Sequence, residues 1–104
     1  MTGSMRQYEE IGGYKYWIDA VALPRYSDYG PTRYRGRIHI VQLPNTERMM
    51  DEPVIILNPH DEKTKVDAIG LAESELRYYL RYDLMQTMIH FARERALLDP
   101  VSFD

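Results

Sequence analysis

The side chains best suited to chemistry in this chain of 104 residues form one short cluster, His60-Asp61-Glu62, which follows Asn58-Pro59. Imidazole and carboxylate groups gathered on a turn are able to ligate a metal ion. Three adjacent residues lack the thiolates or the second, distant ligand set of a structural zinc site. A polar turn that initiates a helix explains the same residues. We therefore predict no metal site and no cofactor.

A nucleophile is equally hard to place. The chain has no cysteine, and Ser27, Ser74 and Ser102 lack the glycine-flanked elbow that exposes a catalytic serine. There is no glycine-rich loop for phosphates, and neither His39 nor His90 has a nucleophile at a diagnostic spacing. We therefore predict no catalytic residues and expect that the protein is not an enzyme.

The segment RYSDYGPTRYRGRIHIVQL, residues 25–43, concentrates arginine and tyrosine in a chain whose net charge is −3. By segment, residues 1–13 carry −1, residues 14–48 carry +3 and residues 49–104 carry −5. Such polarity favours orientation toward a charged partner. Aromatic rings beside cations are typical of surfaces that stack bases and contact phosphates, and equally of protein interfaces. The residues predicted to contact a partner are Lys15, Trp17, Tyr26, Tyr29, Arg33, Arg35, Arg37 and His39.

Strands must position this segment. The runs from Tyr14 to Leu23 and from Tyr34 to Leu43 are rich in aromatic and β-branched residues and predict a hairpin. Its connection, Pro24 to Arg33, is too long for a tight turn. Alternation places Arg35, Arg37 and His39 on one face. The register of the first strand stays open, and the arginines meet either Lys15, Trp17 and Asp19 or Tyr14 and Tyr16.

The rest of the chain predicts a third strand and then helix. Residues 53–58, PVIILN, form a short apolar run, and a polar turn follows. Thr64, three residues before Asp67, marks the helix start. Apolar residues then recur at spacings of three and four on two stripes. The sequence therefore predicts an α+β fold, with a three-stranded antiparallel meander packed on a long C-terminal helix that is either continuous or broken near Asp83.

The second helical stripe predicts self-association. A single sheet covers only one stripe of a continuous helix, so the other stripe would meet a second copy of the chain. A helix that breaks near Asp83 and folds back is the alternative. The residues predicted to form the oligomer interface are Tyr78, Tyr82, Met85 and Ile89.

This layout resembles the double-stranded RNA-binding domain over residues 14–82. In that family a Gly-Pro loop between the first two strands and lysines at the start of the last helix contact RNA. Gly30 and Pro31 match the loop, and Lys63 and Lys65 stand near the place of the lysines. The family also has a preceding helix, for which only Met5 to Ile11 is present. The resemblance implies an α+β fold and an RNA-binding surface.

Length and composition indicate the number of domains and the cellular compartment. The chain has the size of one domain, and we interpret residues 1–4 as a non-native leader before a domain of residues 5–104. No run is long enough to cross a bilayer, and the absence of cysteine fits a reducing cytoplasm. We predict a cytoplasmic, self-associating interaction domain. The alternative is a domain that binds RNA or single-stranded nucleic acid through the basic first hairpin, and an acidic protein is a further candidate partner.

Overall fold

The fold is α+β, with an antiparallel sheet on one side and two helices on the other. The structure is a computed structural model that describes residues 7–24 and 30–98. The sheet has four strands in the order β1-β2-β3-β4. The strands are β1 (Glu9–Ile11), β2 (Tyr14–Ala22), β3 (Tyr34–Gln42) and β4 (Val54–Glu62), and the helices are α1 (Lys65–Arg81) and α2 (Met85–Leu98). Residues 1–4, interpreted as a leader, lie outside the described residues.

The first strand is a correction to the predicted three-stranded sheet. β1 pairs with β2 through a two-residue turn, and Ile11 lies opposite Tyr14. Gly12 and Gly13 form the turn with φ of 58° and 85°. This left-handed conformation carries a steric cost that glycine avoids, and it matches the twist of a tight hairpin. The Gly-Gly pair was therefore a hairpin signal.

The third predicted strand is also longer than the sequence indicated, because β4 continues through Pro59 to Glu62. Asn58, Pro59 and His60 lie opposite a single residue of β3, Gly36, in a bulge. The Asn58 side-chain oxygen accepts a hydrogen bond of 2.8 Å from the His60 backbone N–H and stabilises this bulge. Proline is tolerated here because β4 is an edge strand, so its missing N–H costs no central ladder bond.

The predicted helix is broken, as the alternative allowed. Thr64 caps α1 by accepting a hydrogen bond of 3.1 Å from the Asp67 backbone N–H. α1 ends at Arg81, and Asp83 adopts a left-handed φ of 57° that turns the chain before α2. α1 then packs on β2 and β3, and α2 packs on β4.

The core lies between the helices and one face of the sheet. Gly36 permits the close approach of α1, because a Cβ at this position would lie 2.6 Å from the Ala68 carbonyl oxygen. The core contains apolar residues of β2, β3, β4 and both helices: Tyr14, Tyr16, Ile38, Ile40, Val54, Ile56, Ala72, Leu76, Tyr79, Met85 and Ile89. Met85 and Ile89 therefore contribute to the core of their own chain, with only 3% and 2% of their surface exposed. No described helix is both long and apolar enough to cross a membrane.

Candidate functional site

The sheet face turned away from the helices, here called the open face, carries most of the predicted binding residues. Trp17 pairs with His39 and Asp19 pairs with Arg37 across β2 and β3. Tyr14 and Tyr16 point into the core, so the register places Lys15, Trp17 and Asp19 beside the arginines. Of the two registers that the sequence left open, this is the first.

Asp19 lies at the centre of a hydrogen-bonded cluster on the open face. Arg37 donates to both of its carboxylate oxygens, over 2.9 Å from Nε and 2.6 Å from Nη2. The Nε2 atom of His39 donates to the same carboxylate over 2.9 Å. Burial alone would raise the pKa of Asp19, but the hydrogen bonds from Arg37 and His39 outweigh it and lower the pKa below its usual value. Arg37 is therefore charge-compensated within the fold.

The ring of His39 is buried although it lies on the open face. The indole of Trp17 stacks on it with ring centroids 3.5 Å apart and planes 7° from parallel. On the other side, Ile55 of β4 is the cross-strand neighbour of His39. Trp17, His39 and Ile55 thus form one row across three strands. The aromatic residue that the sequence indicated beside the cations is present, and it covers a histidine.

A second ion pair compensates Arg33. Its Nε atom lies 3.2 Å from Asp61 Oδ2, with both side chains more than a third exposed. The hydrogen bond from Arg33 is the main reason that the pKa of Asp61 is lowered. Three acids, Asp19, Asp61 and the Lys15 neighbour Glu10 of β1, offset the four cations of the open face, Lys15, Arg33, Arg35 and Arg37, so this face carries a formal +1.

Arg35 differs from its two neighbours. It lies opposite Val21 on β2 and Asp61 on β4, and its Nε is buried with no hydrogen-bond partner in the described part of the chain. The three arginines therefore do not act as equivalent surface cations. Tyr26 and Tyr29, the remaining predicted binding residues, lie outside the described residues.

The candidate metal ligands do not converge. Asp61 binds Arg33, and His60 is exposed. Among residues 7–24 and 30–98, no group of three histidine or acidic side chains is close enough to hold a metal ion.

The predicted oligomer stripe is divided by the break at Asp83. Tyr78 and Tyr82 remain on the surface, 52% and 57% exposed, and their ring centroids lie 4.8 Å apart. Met85 and Ile89 are buried in the core of their own chain and present no surface to a partner. The four residues therefore do not form one interface, because the stripe assumed a continuous helix.

A surface outside the predicted binding residues lies along the outer edge of β4, the apolar third strand of the prediction. No described strand pairs with this edge. Ile55, Ile56 and Leu57 of the strand and Met88, Phe91, Ala92 and Arg95 of α2 line a cleft there. The cleft continues toward the start of β4 as an open groove of about 750 Å³, lined by residues 50–55 and by Ala92, Arg93, Ala96 and Leu97. We call this cleft and groove together the edge groove.

The edge groove combines exposed apolar side chains with the charged residues Asp51, Glu52, Arg93 and Arg95. Ile55 is 41% exposed, Phe91 is 59% exposed and Leu97 is 82% exposed. Phe91 lies on α2, which the turn at Asp83 separates from α1, and its ring is on the surface. Contiguous exposed apolar side chains beside a free strand edge usually mark an interaction surface.

Comparison with protein-family models, curated proteins and solved structures gave no match for this chain. The resemblance to the double-stranded RNA-binding domain thus stays a prediction. Where that family has its first helix, this chain forms strand β1.

Proposed function

We propose that this protein is a non-enzymatic interaction domain that self-associates, and that the edge groove is its contact surface. The observation that carries the proposal is the free edge of β4, a nine-residue strand whose first half, Val54 to Leu57, is entirely apolar. An edge strand presents unpaired N–H and C=O groups, and these pair readily with another strand. The proposal requires neither a catalytic residue nor a cofactor.

The two edges of the sheet support this choice. Proteins protect an edge by making the strand very short or by placing charges on it. β1, the strand at the opposite edge, has three residues, and two of them are glutamates. The first half of β4 has neither form of protection. Pro59 lacks an N–H and limits further pairing, so Val54 to Leu57 is the segment we assign to a partner strand.

The side chains that border the edge add a reason for association. Phe91 and Leu97 lie on the helix side of the edge groove, and Ile55 contributes from the strand. Aromatic and aliphatic side chains that become fully desolvated supply most of the free energy at protein interfaces. A partner strand on β4 would bury all three together with the backbone.

Nucleic-acid binding is the weaker alternative. It depends on free cations, because phosphate contacts dominate the affinity of such proteins. Asp19 and Asp61 compensate two of the three arginines that motivated it. The chain as a whole is also acidic. We therefore propose protein, in the form of a second copy, as the partner.

The test compares two equally exposed aromatic residues. Phe91→Ser removes an aromatic ring from the edge groove, whereas Tyr82→Ser removes one from the end of α1, outside the lining of the groove, with exposures of 59% and 57%. Loss of an interface anchor typically costs 2 kcal/mol or more, so we expect Phe91→Ser to weaken self-association by about 30-fold. Tyr82→Ser should stay within about twofold of the parent.

Sedimentation equilibrium of the three proteins measures these constants, and thermal unfolding checks that each remains folded. An equal loss of self-association in both variants, or a loss in Tyr82→Ser alone, would indicate that the interface includes the exposed side chains of Tyr78 and Tyr82. Self-association of Phe91→Ser that equals that of the parent would refute the edge groove as the contact surface.

A further inference from the structure

We infer that the second copy binds in one orientation, with the two β4 strands antiparallel about a twofold axis, and that charged residues at the two ends of β4 select this orientation. The inference rests on the proposed function, because it concerns the geometry of the same edge groove. A twofold contact uses the same surface on both copies and closes after two chains.

The two ends of β4 carry opposite charge. Residues 47–53, which precede the strand, contain Glu47, Asp51 and Glu52 against Arg48, for a net −2, and Arg93 of α2, which lines the groove with Asp51 and Glu52, reduces this to −1. Residues 61–65 contain Lys63 and Lys65 against Asp61 and Glu62, and Arg33 is paired with Asp61, so this end carries +1. Asp51, Glu52, Lys63 and Lys65 are all exposed.

Antiparallel pairing brings opposite charges together. When Val54 to Leu57 of one copy pairs with the same segment of the other, Asp51 and Glu52 fall opposite residues 60 and 59, next to the basic end of the partner strand. Parallel pairing would place acid beside acid and base beside base. Complementary rim charges fix orientation and suppress wrong arrangements, so the charge pattern favours the antiparallel dimer.

The helical layer fits the same geometry. Phe91 lines the edge groove beside Ile55, Ile56 and Leu57, which is the middle of the paired segment. A twofold axis through this segment, perpendicular to the sheet, brings the two copies of Phe91 toward each other on the same side of an eight-stranded sheet. Hot-spot residues concentrate near the centre of an interface in this way.

The experiment uses two variants that should each fail to pair with themselves. The first, Asp51→Lys with Glu52→Lys, makes both ends of β4 basic. The second, Lys63→Glu with Lys65→Glu, makes both ends acidic. Each variant alone should self-associate at least about tenfold more weakly than the parent, because like charges then face each other twice per dimer.

An equimolar mixture of the two variants should recover association. In the mixed dimer the basic start of one strand meets the acidic end of the other, and the remaining pair of ends is also complementary. Native mass spectrometry should therefore find the mixed dimer in large excess over either homodimer. Lys63→Glu without the change at Lys65 leaves the first turn of α1 untouched, and its mixture with the first variant should show the same preference.

The outcomes separate the two proposals. A parent that stays monomeric refutes the proposed function and the inference together. A parent that dimerises while the mixture shows no preference for the mixed dimer leaves the proposed function intact and refutes the antiparallel arrangement. Variants that self-associate as well as the parent refute it in the same way.

Discussion

The approach of α1 to β3 at Gly36 gives the sharpest stability prediction. A methyl group at position 36 would lie 2.6 Å from the Ala68 carbonyl oxygen and 2.6 Å from the Ala72 Cβ. Ordinary contacts between such atoms are about 3.5–4.0 Å, so the helix would have to move away from the strand by about 1 Å. Neither contacting atom is able to rotate away.

The magnitude follows from two opposing terms. Overpacking of a close-packed core costs about 1–3 kcal/mol, and two rigid contacts place Gly36→Ala at the upper end. Alanine restricts the unfolded chain more than glycine does, which returns about 0.4–1 kcal/mol. We expect Gly36→Ala to lower the free energy of unfolding by about 2 kcal/mol. For a domain of this size that corresponds to a Tm lower by about 8–16 °C.

Gly70→Ala is the matched control. Gly70 lies inside α1, and a Cβ there would meet nothing within 4 Å. The same chemical change should therefore stabilise the protein by about 1 kcal/mol, because alanine is the better helix former. Urea unfolding of both variants at pH 7 measures the two effects. A Gly36→Ala variant as stable as the parent would refute the close packing of α1 on β3.

Two further predictions concern pH. Burial raises the pKa of Tyr16 and of Tyr79 to about 12, with a further contribution from Glu9 at Tyr16 and from Glu75 at Tyr79. The folded state therefore keeps protons that the unfolded state loses above pH 10, and the free energy of unfolding should fall as pH rises from about 10 to 12. In the double variant Tyr16→Phe with Tyr79→Phe this free energy should depend less on pH, and an unchanged slope against pH would contradict the prediction. The pKa of Asp19 is lowered despite burial, so the stability that Asp19 contributes should be present above pH 4 and lost as pH falls further. Asp19→Asn should lower the free energy of unfolding by about 2 kcal/mol at pH 7 and by clearly less at pH 3, whereas Asp61→Asn, in a more exposed pair, should lower it much less at pH 7. Urea unfolding that ranks the two variants equally would refute the role of the Asp19 cluster.

Much of the fold follows from local patterns in the sequence. The β2–β3 hairpin follows from β-branched and aromatic runs, and the start of α1 follows from the Thr64 cap. Gly12-Gly13 carried the signal for β1, but a three-residue strand has too little periodicity to be recognised by its own residues. The path of β4 through Pro59 depends on its place at the sheet edge, which is a tertiary fact.

The candidate site was less accessible to sequence reasoning. Alternation placed Arg35 and Arg37 on the face away from the core, and one of the two possible registers placed Asp19 beside them, but nothing in the pattern indicated that Asp61 pairs with Arg33. The interface stripe was derived for a continuous helix. One left-handed residue, Asp83, redirected the chain, so Met85 and Ile89 entered the core and Phe91 reached the surface.

The mass of the unmodified chain as a function of concentration is the direct test of self-association. We expect a weight-average mass that rises from the 12.3 kDa of one chain and levels off at twice that value, because a twofold contact between β4 edges closes after two copies. A mass of 12.3 kDa at every concentration up to about 1 mM would contradict self-association. A mass that grows beyond two copies without limit would contradict the closed pairing of the two β4 edges.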